Sequence, residues 1–467
     1  MDKAKNKLHC RQEKAKIDAK AANKTSKSVM SGWYRSPMRG RPRFSGLTLG
    51  QWIGVTLLSC AATLPATAQS LGDALKRFIH DDATATVHLR SFYMDRTNVA
   101  PPNYVAWAGG GWLAYQSGWL YDILQVGAVG YTTQPLWAPP STSGTQLLKT
   151  GQYGFFILGQ AYASARWQGH TFTAFRQIID ELEVNPNDDR MIPITFEAYA
   201  LRGKVGAVDY FAGYVAAIKP KDYWTFINMA ERAGAPDVNA GMGLLSLKYG
   251  SIDDLRLRAS VYHVPDILTS TYGDVAKTVA ITDDLSFRFA ANVMVQGSNG
   301  LNLLTGQPFS TWSAGVRTDF LWKDFTLWGA YTQTGSAAAY RTPYGQWIGY
   351  TKQITLDFDR ANERAFQFGV TYGFATIGIP GLTFLGSATF GSGALDATTR
   401  LPLPQNNEYD FDLIYQVAAK SAPWWLKPLQ LRGRMAHVDQ YFNGTYAQIN
   451  EYRVILNYEL NFKGFRR

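Results

Sequence analysis

The stretch that most restricts the fold is the last full run of the chain, residues 452–462. Tyr452, Val454, Leu456, Tyr458, Leu460 and Phe462 are apolar or aromatic, while Arg453, Asn457, Glu459 and Asn461 between them are polar, with Ile455 the exception. A period of two over this length is a strand with one apolar and one polar face. Roughly 9–11 residues is also what a tilted strand needs to cross a bilayer. An aromatic at each end of the apolar face fits the two interfacial girdles of a membrane barrel. On this strand alone, the last strand of a soluble sandwich is the competing reading.

The pattern recurs along the chain. Val87, Leu89 and Tyr93 alternate with His88, Arg90 and Phe92; Leu255, Leu257, Ala259 and Val261 with Arg256, Arg258 and Ser260; Phe287, Phe289 and Val293 with Arg288 and Asn292. Further alternating runs occupy 366–374 and 408–417. The connections come in two lengths. Short turns sit at 251–254, 282–284, 322–324 and 379–381, and long Gly-, Pro-, Ser- and Asn-rich ones at 134–152, 178–193, 219–240, 296–311, 335–363 and 391–407. Together they predict an all-β fold: a transmembrane antiparallel β-barrel of roughly eighteen strands between Thr84 and Phe462, with sixteen the competing even count.

Charge location removes one class of partner. The chain has 46 Lys and Arg against 36 Asp and Glu, but residues 1–46 hold thirteen of the former and three of the latter, so the remainder is balanced. The net basicity therefore says nothing about nucleic acid. The basic segment, the mostly apolar run 47–58 and Ala66-Thr67-Ala68 read as a signal peptide over 1–68, with Met1, Met30 or Met38 as the start. Leu57-Leu58-Ser59-Cys60 is a weaker, lipobox-like competitor. Cys10 and Cys60 both fall in this presequence. Beyond it no run of about 20 apolar residues occurs. The remaining divisions are a lead-in over 69–83, the barrel over 84–462, and a short disordered tail over 463–467.

Catalytic motifs do not emerge. There is no G-x-S-x-G, H-E-x-x-H or Walker sequence, and His80, His88, His170, His263 and His437 have no metal-ligand spacing. Gly109-Gly110-Gly111 reads as close packing in a strand. No enzyme activity, cofactor or metal is expected.

Arginine on the polar strand faces is the informative feature. Arg432 and Arg434 are two apart and share a face, and Arg453, Arg256, Arg258, Arg288 and Arg90 take polar positions on other strands. Closure pairs the first and last strands and brings Arg90 and Arg453 onto adjoining staves. Such a lane in a water-filled lumen would attract carboxylates. The plainer reading is lumen lining, with Asp410 and Asp412 neutralising Arg432 and Arg434, and Asp253 or Asp254 neutralising Arg256. The segment 176–193, with Asp180, Glu181, Glu183, Asp188 and Asp189 between Arg176 and Arg190, suits either a constriction loop or an outer loop.

Several of these stretches resemble the OprD-like family of substrate-specific outer-membrane porins. They are Leu89-Arg-Ser-Phe-Tyr-Met-Asp-Arg96, Asn185-Pro-Asn-Asp-Asp-Arg-Met-Ile-Pro193 with Thr195-Phe-Glu197, Gly345-Gln-Trp-Ile-Gly-Tyr350, the 357–366 run, Glu408-Tyr-Asp-Phe-Asp-Leu413 and Asn450-Glu-Tyr-Arg453. The resemblance implies an eighteen-stranded barrel, monomeric or loosely trimeric, with an inward-folded third loop. It implies a basic ladder at Arg90, Arg432, Arg434 and Arg453, with Arg176 and Arg190 bracketing the constriction. It further implies passive, selective diffusion of small carboxylate-bearing solutes across the outer membrane of a Gram-negative bacterium. The expected partners are those solutes, lipid and lipopolysaccharide, and transiently the barrel-assembly machinery and periplasmic chaperones. Two departures matter: Gly433 thins the lipid face, and the acidic 180–183 run leaves a zwitterionic solute open. The alternatives are a non-selective sixteen-stranded trimeric porin and an outer-membrane enzyme or adhesin.

Overall fold

The computed structural model describes residues 70–419, 421–442 and 444–464. The predicted signal peptide and the end of the predicted tail, 465–467, lie outside these. The first elements are a short helix, α1 (Leu71–Lys76), and a π-helical turn, Arg77–Asp81.

Strands follow in the order β1 (Thr84–Thr97), β2 (Tyr104–Gln116), β3 (Leu124–Trp137), β4 (Phe155–Trp167), β5 (His170–Gln177), β6 (Thr195–Val205), β7 (Val208–Lys219) and the two-residue β8 (Ile227–Asn228). After the helical turn α2 (Met229–Ala233) come β9 (Met242–Gly250), β10 (Leu255–Val264), β11 (Leu268–Ala280), β12 (Leu285–Gly297), β13 (Ser310–Trp322) and β14 (Phe325–Thr334). The set ends with β15 (Arg364–Gly373), β16 (Leu382–Ser392), β17 (Gln405–Gln416), β18 (Leu429–Phe442) and β19 (Thr445–Lys463). All but β8 pair antiparallel with their chain neighbours, β7 passing directly to β9, and β19 closes on β1. The result is a closed barrel of eighteen staves. Closure leaves no unpaired edge, which is what a strand-built membrane span requires where water cannot satisfy backbone groups.

The two connection lengths separate by end. The end that holds α1 and the last residues of β19 carries the expected short turns, with 417–428 its longest connection, and the opposite end carries all six long loops together with the short β10–β11 and β18–β19 links. The expected 379–381 turn is longer than it looked, because residues 374–377 form a 3-10 turn first. The last strand is longer too. Lys463 pairs with Thr84 and the Gly464 N–H donates to Ala83 O at 2.9 Å, so the first two residues of the expected disordered tail are ordered.

Burial follows the alternation. On β19, Tyr452 and Val454 are exposed outward while Glu451, Arg453 and Ile455 are buried inward. Ile455, the exception in the polar face, packs in the lumen with Phe92 and Met94. The glycine run of β2 has a steric cause. A Cβ at Gly110 would stand 2.1 Å from Thr132 O, and one at Gly111, where φ is +133°, would stand 1.9 Å from His88 O. Neighbouring staves approach too closely there for any side chain.

Long loops fold inward because they carry apolar side chains. Ile179, Leu182, Val184, Met191 and Ile192 of the 178–194 loop are buried. Ile179 and Val184 join lumen-side Phe196, Ala198, Val215, Leu244 and Tyr262, and Tyr344 from the 335–363 loop. Leu182 packs with Tyr272, Met294 and Trp347, and Met191 and Ile192 with Phe92, Met94 and Tyr131. Burying a side chain of this size is worth roughly 1.5–3 kcal/mol. A loop with several of them docks rather than standing in water.

Candidate channel constriction

The 178–194 loop crosses the bore and is fastened at both ends. On one side, Glu183 accepts a hydrogen bond from Ser270 Oγ at 3.0 Å and another from Tyr340 Oη. On the other, Arg90 donates to both oxygens of Asp188, at 2.7 and 3.1 Å, and to the carbonyls of Arg190 and Met191. Ser270 lies on β11, the tenth stave counted from the β1 stave of Arg90, half-way round the ring. The five-residue step from Glu183 to Asp188 reaches at most about 18 Å, so the loop must run nearly straight across. The inward fold is therefore settled.

A second loop completes the crossing. Asn185 holds Gln346 of the 335–363 loop through both backbone groups, at 3.1 Å and 2.9 Å. That loop then reaches the lumen face of β17, where Asp410 accepts from Ile354 N at 2.7 Å and Glu408 from the N–H groups of Thr355 and Leu356 at 2.7 and 2.8 Å. Arg453 donates to Ile354 O at 3.3 Å. Asp410 is thus a loop anchor rather than a counter-ion for Arg432.

The lumen arginines face inward as expected, and their pairing has a common form. Arg256 and Arg258 share Asp274, at 3.2 Å for the first. Arg288 and Arg317 share Asp319 at 3.7 and 2.7 Å. Arg432 binds Asp412 through Nε at 2.8 Å, and Arg434 shares that carboxylate at 3.0 Å. Arg96 and Arg453 share Glu451, the former at 3.6 Å. At the constriction, Arg190 and Lys221 share Asp189 at 2.8 and 2.5 Å. Each set holds two cations on one carboxylate and keeps one positive charge in excess.

Two sequence expectations need correction. Arg256 pairs with Asp274 of the next strand, while Asp254 takes Lys277. Arg176 does not line the constriction. It lies on the side of β5 that carries exposed Phe172, pairs with Glu197 at 3.5 Å and packs over Phe226 at 4.5 Å. Arg317, Asp274, Asp319, Lys221 and Glu451 were missed. Alternation places Arg317 and Asp319 on one face of β13 and was the available signal for them; Lys221, in a loop, offered none.

Two of the three acids in the 180–183 run are taken up by partners, while Asp180 is exposed. Glu181 pairs with Lys248 at 2.6 Å. Glu183 is 3% exposed, and burial raises its carboxyl to about 7 against the pull of the Tyr340 and Ser270 hydroxyls. Burial would raise Asp189 as well, but Arg190, Lys221 and Arg453 hold it well below the usual carboxylate range. The Coulomb field of this corner is cationic.

A closed barrel with an apolar belt, long loops at one end and two of them folded across a charged bore defines an outer-membrane porin. The chain belongs to the OprD family: the family pattern described as outer membrane porin, OprD family, matches residues 76–462. Similar solved structures include OccK9 (OpdG) of Pseudomonas aeruginosa, at 21% identity and a TM-score of 0.74, covering 82% of this chain and 99% of that one. A BenF-like porin from Pseudomonas fluorescens Pf-5 is 19% identical with a TM-score of 0.72, over 82% and 99%. OpdK of Pseudomonas aeruginosa, solved with vanillate, is 18% identical with a TM-score of 0.70, over 82% and 99%. No curated protein sequence matches this chain. The location of the family is the outer membrane of Gram-negative bacteria.

Proposed function

We propose that this porin passes small hydrophilic solutes by energy-independent diffusion and prefers those bearing a carboxylate. The observation that carries this is the repeated two-cation, one-carboxylate set. Each Asp or Glu of the four wall sets is almost fully buried, while all their arginines but Arg453 keep part of the side chain accessible. A buried carboxylate positions two guanidinium groups and leaves donors for a passing anion, which guanidinium binds bidentately. Arg256, Arg258, Arg288, Arg432 and Arg434 are the proposed path, with Arg190, Asp189 and Lys221 at its narrowing, while the buried Arg90 and Arg453 add positive charge from behind the docked loops. OpdK, which has the same fold, was crystallised with a carboxylate, vanillate. Diffusion along such a path makes and breaks no covalent bond, so no residue is assigned a catalytic role.

The test is liposome swelling with the purified protein, comparing an aromatic monocarboxylate with a neutral solute of equal size. Faster entry of the carboxylate, reduced in an Arg432→Ala/Arg434→Ala variant, is expected. Equal rates for both solutes would sink the selective reading, and no flux of either would sink the channel reading.

A further inference from the structure

The lead-in before β1 presents a surface that the channel does not use. Ser70 caps α1, its Oγ accepting from Asp73 N at 3.1 Å. A spacing of four sets Leu71, Leu75 and Ile79 along one edge, and they are 61%, 39% and 57% exposed. Ala74 is buried and Phe78 half-buried on the opposite side.

The attachment of this segment fixes where the edge lies. Tyr115 occupies the outward face of β2, in step with the exposed Trp107 and Leu113, and its Oη donates to Ile79 O at 2.8 Å. The Gly118 N–H donates to Phe78 O at 2.8 Å, and a Cβ at Gly118 would lie 2.8 Å from Asp82 Cβ. The segment is therefore strapped to the outer side of the rim. It continues the lipid-facing wall of Leu113, Leu124 and Val126, close to the end where Tyr121 and Trp167 are exposed. Its own charges are paired locally, Arg77 with Asp82 at 2.8 Å and Lys76 with Asp81 at 3.9 Å. The unsatisfied feature of this edge is apolar.

We propose that α1 and its π-helical turn form an interfacial foot, with Leu71, Leu75 and Ile79 entering the boundary between headgroups and acyl chains of the leaflet at the short-turn end. The occupant is lipid rather than protein for two reasons. The edge is continuous with a wall that already faces lipid. It is also a single line about 12 Å long, far below the ~800 Å² per partner of a stable protein interface, yet enough for a few apolar side chains to enter the headgroup–acyl boundary. Because Ala83 accepts from Gly464 and β1 pairs with β19, the foot sits at the seam where the barrel closes.

The test uses a chain in which Cys10 and Cys60 are replaced by Ser. Leu75→Cys carries a fluorophore, and the barrel is refolded into vesicles of phospholipid brominated along the acyl chains. Leu113→Cys on the wall is the quenched reference, and Thr305→Cys in an exposed loop at the far end is the unquenched one. Expected is at least half the quenching seen at position 113, with protection from iodide. Quenching no greater than at position 305 overturns the proposal, whether the label is then open to iodide or shielded by residues 1–69 or another protein. Ile79→Cys replaces Leu75→Cys if the latter lacks heat-modifiable migration.

Discussion

Arg434 of β18 and Arg453 of β19 are direct cross-strand partners on the lumen face of the barrel. Like charges placed so are destabilising. The pair is tolerated because each arginine has a carboxylate beside it, Asp412 for Arg434 and Glu451 for Arg453. The arrangement concentrates positive charge on the lumen wall at a cost in stability.

Asp412→Asn removes the carboxylate shared by Arg432 and Arg434 and leaves Arg434 facing Arg453 without its counter-ion. Losing one partner of a buried pair costs several kcal/mol, and the partial exposure of both guanidinium groups reduces this to about 1–3 kcal/mol. The midpoint of urea unfolding in vesicles is expected to fall, and the reversal potential in a KCl gradient is expected to move further toward anion preference.

Arg90→Ala frees the Asp188 end of the crossing loop. Charge-assisted hydrogen bonds are worth about 1.5–3 kcal/mol each, so the loop is expected to lose its fastening at β1 while the Glu183 end stays docked. Hydrogen exchange over residues 186–194 should accelerate, and single-channel conductance should rise. Unchanged exchange in that segment would count against the fastening.

Protonation of Glu183 controls the other end. Its carboxyl is raised to about 7 in the docked state by burial, above the ordinary value near 4.3. The docked state therefore holds the proton more tightly, and docking is strongest at low pH and weakens as pH rises through 7. The loss is about 4 kcal/mol at most. Around the carboxyl stand Tyr340, Ser270 and Tyr262, and no Lys or Arg is among its influences. Loop exchange and channel noise are expected to increase between pH 5 and 8 in the wild type. Glu183→Gln should show no such dependence.

Gly111→Ala tests the close approach of β1 and β2. Its positive φ and the 1.9 Å separation from His88 O leave no room for a methyl group. Relief requires the two staves to separate, with loss of ladder bonds beside the closing seam. Folding yield, read from heat-modifiable migration, is expected to drop sharply.

Much of this was legible along the chain. Alternation over β1, β10, β12, β17 and β19 gives the barrel, because a strand that faces lipid on one side and water on the other must alternate. The same rule puts Arg90, Arg432, Arg434 and Arg453 in the lumen, and the longest connections mark one end. What alternation cannot report is which inward groups meet. Asp274 lies outside the runs that showed Arg256 and Arg258, and only the register of β10 on β11 brings them together. Arg176 misled because its place beside the loop suggested the lumen, while strand parity sent it outward.

The sequence by itself determined a closed, lipid-facing barrel with charged residues inside, since periodicity is local and survives without knowledge of partners. Tertiary structure alone decided that Glu181 and Glu183 are taken up by Lys248, Ser270 and Tyr340, that Asp410 holds a loop rather than an arginine, and that one carboxylate serves two cations around the bore. Those outcomes depend on which strands and loops meet, which strand register and loop docking decide, so the sign of the local field follows from the fold as well as from the order of the residues.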